Sequence, residues 1–234
     1  MSTFHFKQFS VQNEKSAMKV NTDSVLLGAW AEIPKKAKSA LDIGSGTGVL
    51  ALMLAQKNIN LNIEAIEIEK NAFEESEVNF SNSPYFKRLK AVNLPLQEFT
   101  PNQPIDLIIS NPPYFINDLK NRDNNKSQAR HTASLTFLEL IEFAKSNLSD
   151  KGVFSVILPK KESEIFLSLC TDKELHLTKI AFIKPNPSKV VNRVMMSFGH
   201  EKVVVKQQEF CVYKSQGVYS QEHKKLTKDF YLDK

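Results

Sequence analysis

The chain has 234 residues, 41% hydrophobic and 24% charged, with a net charge of +5. That length suits one α/β domain with a small appendage, and no apolar run nears the roughly 18 residues of a membrane span. Two cysteines without ligand spacing (Cys170, Cys211), and an N-terminus without an apolar signal core, lead us to expect a cytoplasmic protein with reduced thiols and no metal site. The moderate basic excess is compatible with a polyanionic partner.

Phe4, Phe6, Phe9 and Val11 alternate with polar residues. With the polar Gln12-Asn13-Glu14-Lys15 as its turn, this segment reads as a β-hairpin. Asn21, Thr22, Asp23 and Ser24 are good N-cap residues for a helix from about Ser24 to Ala31, and capping is one of two open accounts of Thr22 and Asp23, a site role being the other. A solvated link carrying Pro34 and three lysines follows. Ser39 to Ile43 is then a short strand running into Gly44-Ser45-Gly46-Thr47-Gly48 and a helical apolar run from Val49. Strand, glycine turn and helix in succession place a ligand against the turn backbone near the helix N-terminus. The spacing is G-x-G-x-G, unlike the G-x-G-x-x-G of dinucleotide enzymes, which disfavours a nicotinamide cofactor.

The next strand, Leu61 to Glu67, ends on an acidic residue placed to take both hydroxyls of a ribose. Glu69 competes for that role, and Glu67 is favoured because it directly follows the buried Ala65-Ile66 pair. A helix over 70–82 and a strand near Leu89 to Val92 come next. Ile105 to Ile109 then reads as a strand buried on both faces, stopped by Asn111-Pro112-Pro113-Tyr114. The two prolines present an amide, a rigid turn and a ring at the carboxyl end of a strand, where open α/β sheets bind ligands. The Asn111 amide oxygen and the Pro112 carbonyl can both accept from an exocyclic amine, and the Tyr114 ring can stack on a planar substrate. A plain β-turn is the simpler alternative for this tetrapeptide alone.

The polar loop that follows carries Lys120, Arg122, Lys126 and Arg130 and suits either phosphate contact or solvation. Leu135 to Leu148 is an amphipathic helix, Val153 to Leu158 a buried strand, and Ser163 to Leu169 a helix. Leu175 to Ile183 and Val190 to Phe198 read as a hairpin at the sheet edge, near which Lys184, Lys189 and Arg193 cluster. Val203 to Val205 and Phe210 to Val212 add further strand, and Tyr219 to Leu232 closes as a helix. We therefore expect a doubly wound, seven-stranded, mostly parallel sheet with a reversed final strand, in one domain. It divides into an N-terminal hairpin and helix (1–37), a core (38–200) and a C-terminal extension (201–234).

With the Asp42-to-Gly48 turn, Glu67 and Asn111-Pro112-Pro113-Tyr114 in this order, the chain resembles the class I S-adenosylmethionine-dependent methyltransferases. The tetrapeptide is similar to that of the subset acting on amino groups of adenine, cytosine, guanine or glutamine. Met18 to Trp30, Ala129-Arg130-His131 and Phe230-Tyr231-Leu232 further resemble the bacterial tRNA1(Val) (adenine(37)-N6)-methyltransferases. The resemblance implies S-adenosylmethionine as cofactor, with Asp42, Gly44, Gly46 and Gly48 along its body, Glu67 at its ribose, and Thr22 and Asp23 by its methionine end. It implies tRNA as partner, with Pro113, Arg130, His131, Lys184, Lys189 and Arg193 as candidate contacts; no obligate protein partner is evident. One departure is Val92-Asn93-Leu94, where many relatives carry an acidic residue for the cofactor adenine. The rivals are glutamine methylation of a release factor, against which the short lead before the first core strand argues, guanine-N2 methylation of rRNA, and a non-catalytic RNA-binding module, against which the intact glycines argue.

Overall fold

The computed structural model describes residues 3–16, 18–113 and 135–232. Two short strands, β1 (Thr3–His5) and β2 (Ser10–Gln12), pair antiparallel and lead into α1 (Thr22–Trp30). The hairpin turns at Phe6–Phe9, earlier than the polar Gln12-to-Lys15 segment expected from sequence. Phe6 and Phe9 are buried and stacked, so the turn is held by aromatic packing rather than turned outward by polarity.

β3 (Ser39–Ile43), α2 (Val49–Lys57), β4 (Asn62–Ile66), α3 (Lys70–Ser81), β5 (Leu89–Val92) and β6 (Ile105–Ser110) then alternate. α4 (Phe137–Asn147), β7 (Leu148–Pro159) and α5 (Lys160–Asp172) complete the winding, and β8 (His176–Lys184) and β9 (Arg193–Gly199) finish the expected set of seven. The sheet gains an eighth strand, β10 (Lys206–Cys211), and a final pair, β11 (Tyr213–Ser215) with β12 (Val218–Tyr219), precedes α6 (Gln221–Thr227). Val203 to Val205 is exposed and outside any strand.

The order across the large sheet is β10-β8-β9-β7-β6-β3-β4-β5, parallel except for β9, which runs antiparallel to both its neighbours. The reversed strand is thus inserted between β7 and β8, and the β8–β9 hairpin does not form the edge. The sequence explains the placement. From Val194 to Phe198, β9 is buried throughout, which demands cover on both sides, whereas the first four residues of β10, Lys206-Gln207-Gln208-Glu209, are exposed. Polar and charged residues are what an unpaired edge tolerates.

Alternation along β6 divides the core. Leu107 and Ile109 pack with α1 and α2 on one face, and Ile108 packs with α4 and α5 on the other, where Phe154, Phe166 and Phe198 meet. Truncating one of these rings would cost about 3–5 kcal/mol. A strand buried so completely is a rigid mount for whatever follows it.

Candidate active site

β3 is flanked by β4 on one side and β6 on the other, so the winding reverses direction there. In parallel sheets this switch point opens a crevice beyond the carboxyl ends. The register pairs Ile43 with Ser110, and the Ser110 hydroxyl donates to the Ile43 carbonyl at 2.8 Å. Gly44 and Asn111, the next residues, therefore leave the sheet side by side. The glycine turn and the Asn-Pro-Pro turn, 67 residues apart in sequence, form one rim.

The glycine turn has left-handed backbone at Gly44, Gly46 and Gly48 (φ 69°, 54° and 78°), a region side chains disfavour. At Gly48 a Cβ would stand 2.4 Å from the Phe80 ring, whereas at Gly44 nothing lies within 4 Å of that position. Gly48 has no capping side chain; the Asp42 carboxylate instead accepts from the Ala51 N–H at 3.2 Å, in the first turn of α2. Asp42 is fully buried, and its second oxygen has no partner among the described residues. Burial pushes its carboxyl up to about 7, aided by the Glu67 charge and opposed by the Ala51 bond.

Glu67 turns back over the same loop, accepting from Gly46 N (2.8 Å) and Glu69 N (2.9 Å). The Glu69 carboxylate caps α3, accepting from the Asn71 and Ala72 N–H groups. Asn93 donates to the carbonyls of Glu67 and Ile68, which bridges the two strand ends.

A strap of the chain between β2 and α1 closes the rim from above. The buried Glu75 carboxylate of α3 accepts from three consecutive backbone donors, Glu14, Lys15 and Ser16, at 2.6, 2.9 and 3.0 Å. Asn79, one turn later, bonds both backbone groups of Gln12 and the Thr47 carbonyl. The strap passes so close to Gly46 that a Cβ there would meet Ser16 Oγ at 3.5 Å and the Met18 carbonyl at 3.7 Å. Beyond it, the Asn111 amide nitrogen donates to the Ser24 hydroxyl of α1 at 3.0 Å and approaches Met18 Sδ at 3.8 Å. The carboxamide is thereby oriented by its nitrogen.

These elements enclose a cavity of about 260 Å³. Asn111, Pro113, Ser24, Met18 and Lys19 bound one side; Gly44 to Thr47 form its floor; Glu67, Ile68, Ala72 and Leu94 to Gln97 bound the other.

The methyltransferase small domain family matches residues 15–164. The tRNA1(Val) (adenine(37)-N6)-methyltransferase of Flavobacterium psychrophilum is 43% identical over 98% of this chain and 99% of its own length. The chain belongs to the tRNA1(Val) (adenine(37)-N6)-methyltransferase family. The namesake protein of Pseudoalteromonas translucida is 40% identical over 99% of both chains. A crystal structure described as a predicted O-methyltransferase of Agrobacterium tumefaciens shares the fold at a TM-score of 0.70 and 15% identity, over 89% of this chain and 96% of that one.

For a member of this family the cavity fits S-adenosylmethionine. The space over Gly44 is one a Cβ would occupy, the buried hydroxyl of Ser45 has no partner among the described residues, and the Glu67 carboxylate lines the same cavity, where a ribose diol can donate. The far wall of Ala72, Leu94 and Leu96 is apolar, as a purine ring requires.

Of the residues singled out from sequence, Asn111, Pro113, Gly44, Gly46 and Glu67 line the cavity; Pro112 is buried in the turn, and Asp42 and Gly48 support the floor from below. Thr22 and Asp23 open α1 without lining the cavity, and Asp23 bonds Arg193 of β9 at 2.7 Å, joining a residue expected at the cofactor to one expected at the RNA. Lys184 pairs with Glu209 at 2.6 Å, and Lys189 is exposed on the β8–β9 connection. Tyr114, Arg130 and His131, with Lys120, Arg122 and Lys126, lie outside the described residues. Sequence reasoning missed Ser16, Met18, Lys19 and Ser24 as lining residues, though Met18 to Trp30 is the stretch that carries the family likeness.

Proposed function

We propose that this chain transfers the methyl group of S-adenosylmethionine to the N6 amine of adenine 37 in tRNA1(Val). The observation that carries the reading is the Ile43–Ser110 register, which sets the glycine cradle and the Asn111 carboxamide on one cavity. The substrate is that named for the relatives, which match this chain over nearly its whole length. Bound in the cradle, the cofactor supplies an electrophilic methyl group on a sulfonium.

The protein's part is positioning. The Asn111 carboxamide, oriented by the bond from its nitrogen to Ser24, presents an amide oxygen that can accept an N–H of the adenine amine, and the Pro112 carbonyl is a second acceptor type on the same rigid turn. Two such bonds draw the nitrogen lone pair out of ring conjugation and toward the methyl group. Pro112 and Pro113 hold both acceptors at fixed φ, so little freedom is lost when the base arrives. The strap excludes water above the glycine turn. An unpaired anticodon-loop base costs little to flip into the cavity, where Tyr114 would stack on it. Arg130 and His131 remain candidate substrate contacts, and Lys184, Lys189 and Arg193 candidate phosphate contacts.

The test is methyl transfer from labelled cofactor to tRNA1(Val) transcripts, with the modified nucleoside mapped. Wild-type protein should label adenine 37, and a transcript with guanine at that position should stay unlabelled. Asn111→Ala should bind cofactor normally and lose turnover. Full turnover by that variant would remove the carboxamide from the mechanism, and label at another nucleotide would displace the assigned substrate.

A further inference from the structure

Among the described residues lining the cavity, Lys19 is the one cation, against the carboxylates of Glu67 and Glu69. It sits on the strap, next to Met18, whose sulfur lies 3.8 Å from the Asn111 nitrogen and whose carbonyl is held by the Ser16 hydroxyl at 3.0 Å. The backbone around it is fixed on both sides. Val20 N donates to Asn13 Oδ1 at 2.9 Å. Asn21 Nδ2 donates to the Lys19 carbonyl at 3.2 Å, and the same Asn21 caps Ser24 at 2.9 Å. The Lys19 side chain is exposed and forms no ion pair among the described residues. This lysine thus stands on a tied segment at the rim of a cavity whose other charged lining residues are acidic.

Resting on the function proposed above, we infer that Lys19 receives the carboxylate of the methionine arm of S-adenosylmethionine. That cofactor carries one anionic group. With its ribose at Glu67, on the β4 side, and its methyl directed toward Asn111, on the β6 side, the arm falls to the side walled by the strap and the first turn of α1. Glu67 and Glu69 would repel a carboxylate; Lys19 attracts it, and the N-terminus of α1, capped by Asn21, adds a favourable dipole. Lys19 therefore selects the intact amino-acid arm over adenosyl compounds lacking it.

Calorimetric binding of S-adenosylmethionine and of decarboxylated S-adenosylmethionine separates this role from others, since the two ligands differ only at the carboxylate. Lys19→Met should weaken the cofactor about tenfold to a hundredfold, as loss of one charge-assisted contact does, and leave the decarboxylated compound within about twofold. Lys19→Arg should recover most of the loss. Equal weakening of both ligands, or of neither, would overturn the assignment, as would unchanged cofactor affinity combined with a shallower salt dependence of tRNA binding, which would give Lys19 to a phosphate. Wild-type protein that bound neither ligand would sink the methyltransferase reading itself.

Discussion

Replacing Asp42 with asparagine should abolish one identifiable part of the pH dependence of stability. The Asp42 carboxyl titrates near the ordinary 3.8 when the chain is unfolded and is raised to about 7 when folded, because burial disfavours its charge and Glu67 adds repulsion. Between those values the folded state keeps a proton that the unfolded state has lost. Raising the pH through that window therefore favours unfolding: the contribution is whole below about 4 and gone above about 7. Roughly three pH units at about 1.4 kcal/mol each amount to about 4 kcal/mol. Asparagine keeps an acceptor for the Ala51 N–H and carries no charge at any pH. Urea unfolding of both proteins without ligand, from about pH 4 to about pH 8, spans the window. Carboxylates held down by their partners, such as Glu32 beside Lys179, slope in the opposite direction in both proteins and cancel in the difference. The wild type should lose about 4 kcal/mol relative to Asp42→Asn across the window. Parallel curves would mean that Asp42 is charged when folded and that the glycine turn rests on a carboxylate.

Four other outcomes follow from the same contacts. Gly48→Ala should destabilise by about 3 kcal/mol, from left-handed backbone and the clash with Phe80; a urea midpoint equal to wild type would contradict the packing. Glu67→Ala should weaken cofactor binding by roughly 1.5–3 kcal/mol, read by calorimetry, and unchanged affinity would move the ribose role elsewhere. Removing the acceptor of three backbone donors with Glu75→Ala should cost about 3 kcal/mol and speed amide exchange at residues 14–16; protection there as in wild type would show the strap is held by something else. Lys189→Gln should lower the slope of log affinity for tRNA against log salt by roughly 0.7–0.9, whereas Lys184→Gln should act less because Glu209 already engages that lysine; an unaltered slope for Lys189→Gln would place the RNA path on another face.

What is legible in the sequence is local. The β3–turn–α2 unit announces itself because three glycines interrupt an apolar strand and an apolar helix, and β6 because a buried run is cut by two prolines. Local position favours Glu67 over Glu69 for the proposed ribose contact, and Glu69 also caps α3. What is not legible depends on partners distant in sequence. The polarity of Gln12 to Lys15 suggests the wrong turn for the hairpin. That segment instead gives its backbone groups to Glu75 and Asn79, about 60 residues away or more, a use its side chains do not reveal. β9 looks like an edge strand because it follows β8 in a hairpin; its burial shows that β10 takes that place, a pairing no local pattern encodes. Asp23 and Arg193 suggest different ligands, and their ion pair is visible only once β9 lies beside β7.

The distant contacts converge on α3, which makes that helix more than a crossover between β4 and β5. Its first residues are capped by Glu69, whose N–H is in turn held by Glu67, and its middle grips the strap through Glu75 and Asn79. Glu67 also holds Gly46 N, and Asn79 holds the Thr47 carbonyl, so the glycine turn is tied to α3 by both ends of the same helix. The strap then reaches from Gly46 to Asn111 through Met18. The turn and the carboxamide are thus connected through the strap, which α3 holds by hydrogen bonds and which sets the Met18 sulfur beside Asn111. The proposed cofactor floor and the proposed acceptor for the target amine are thereby joined through α3, which itself supplies no group to the proposed chemistry.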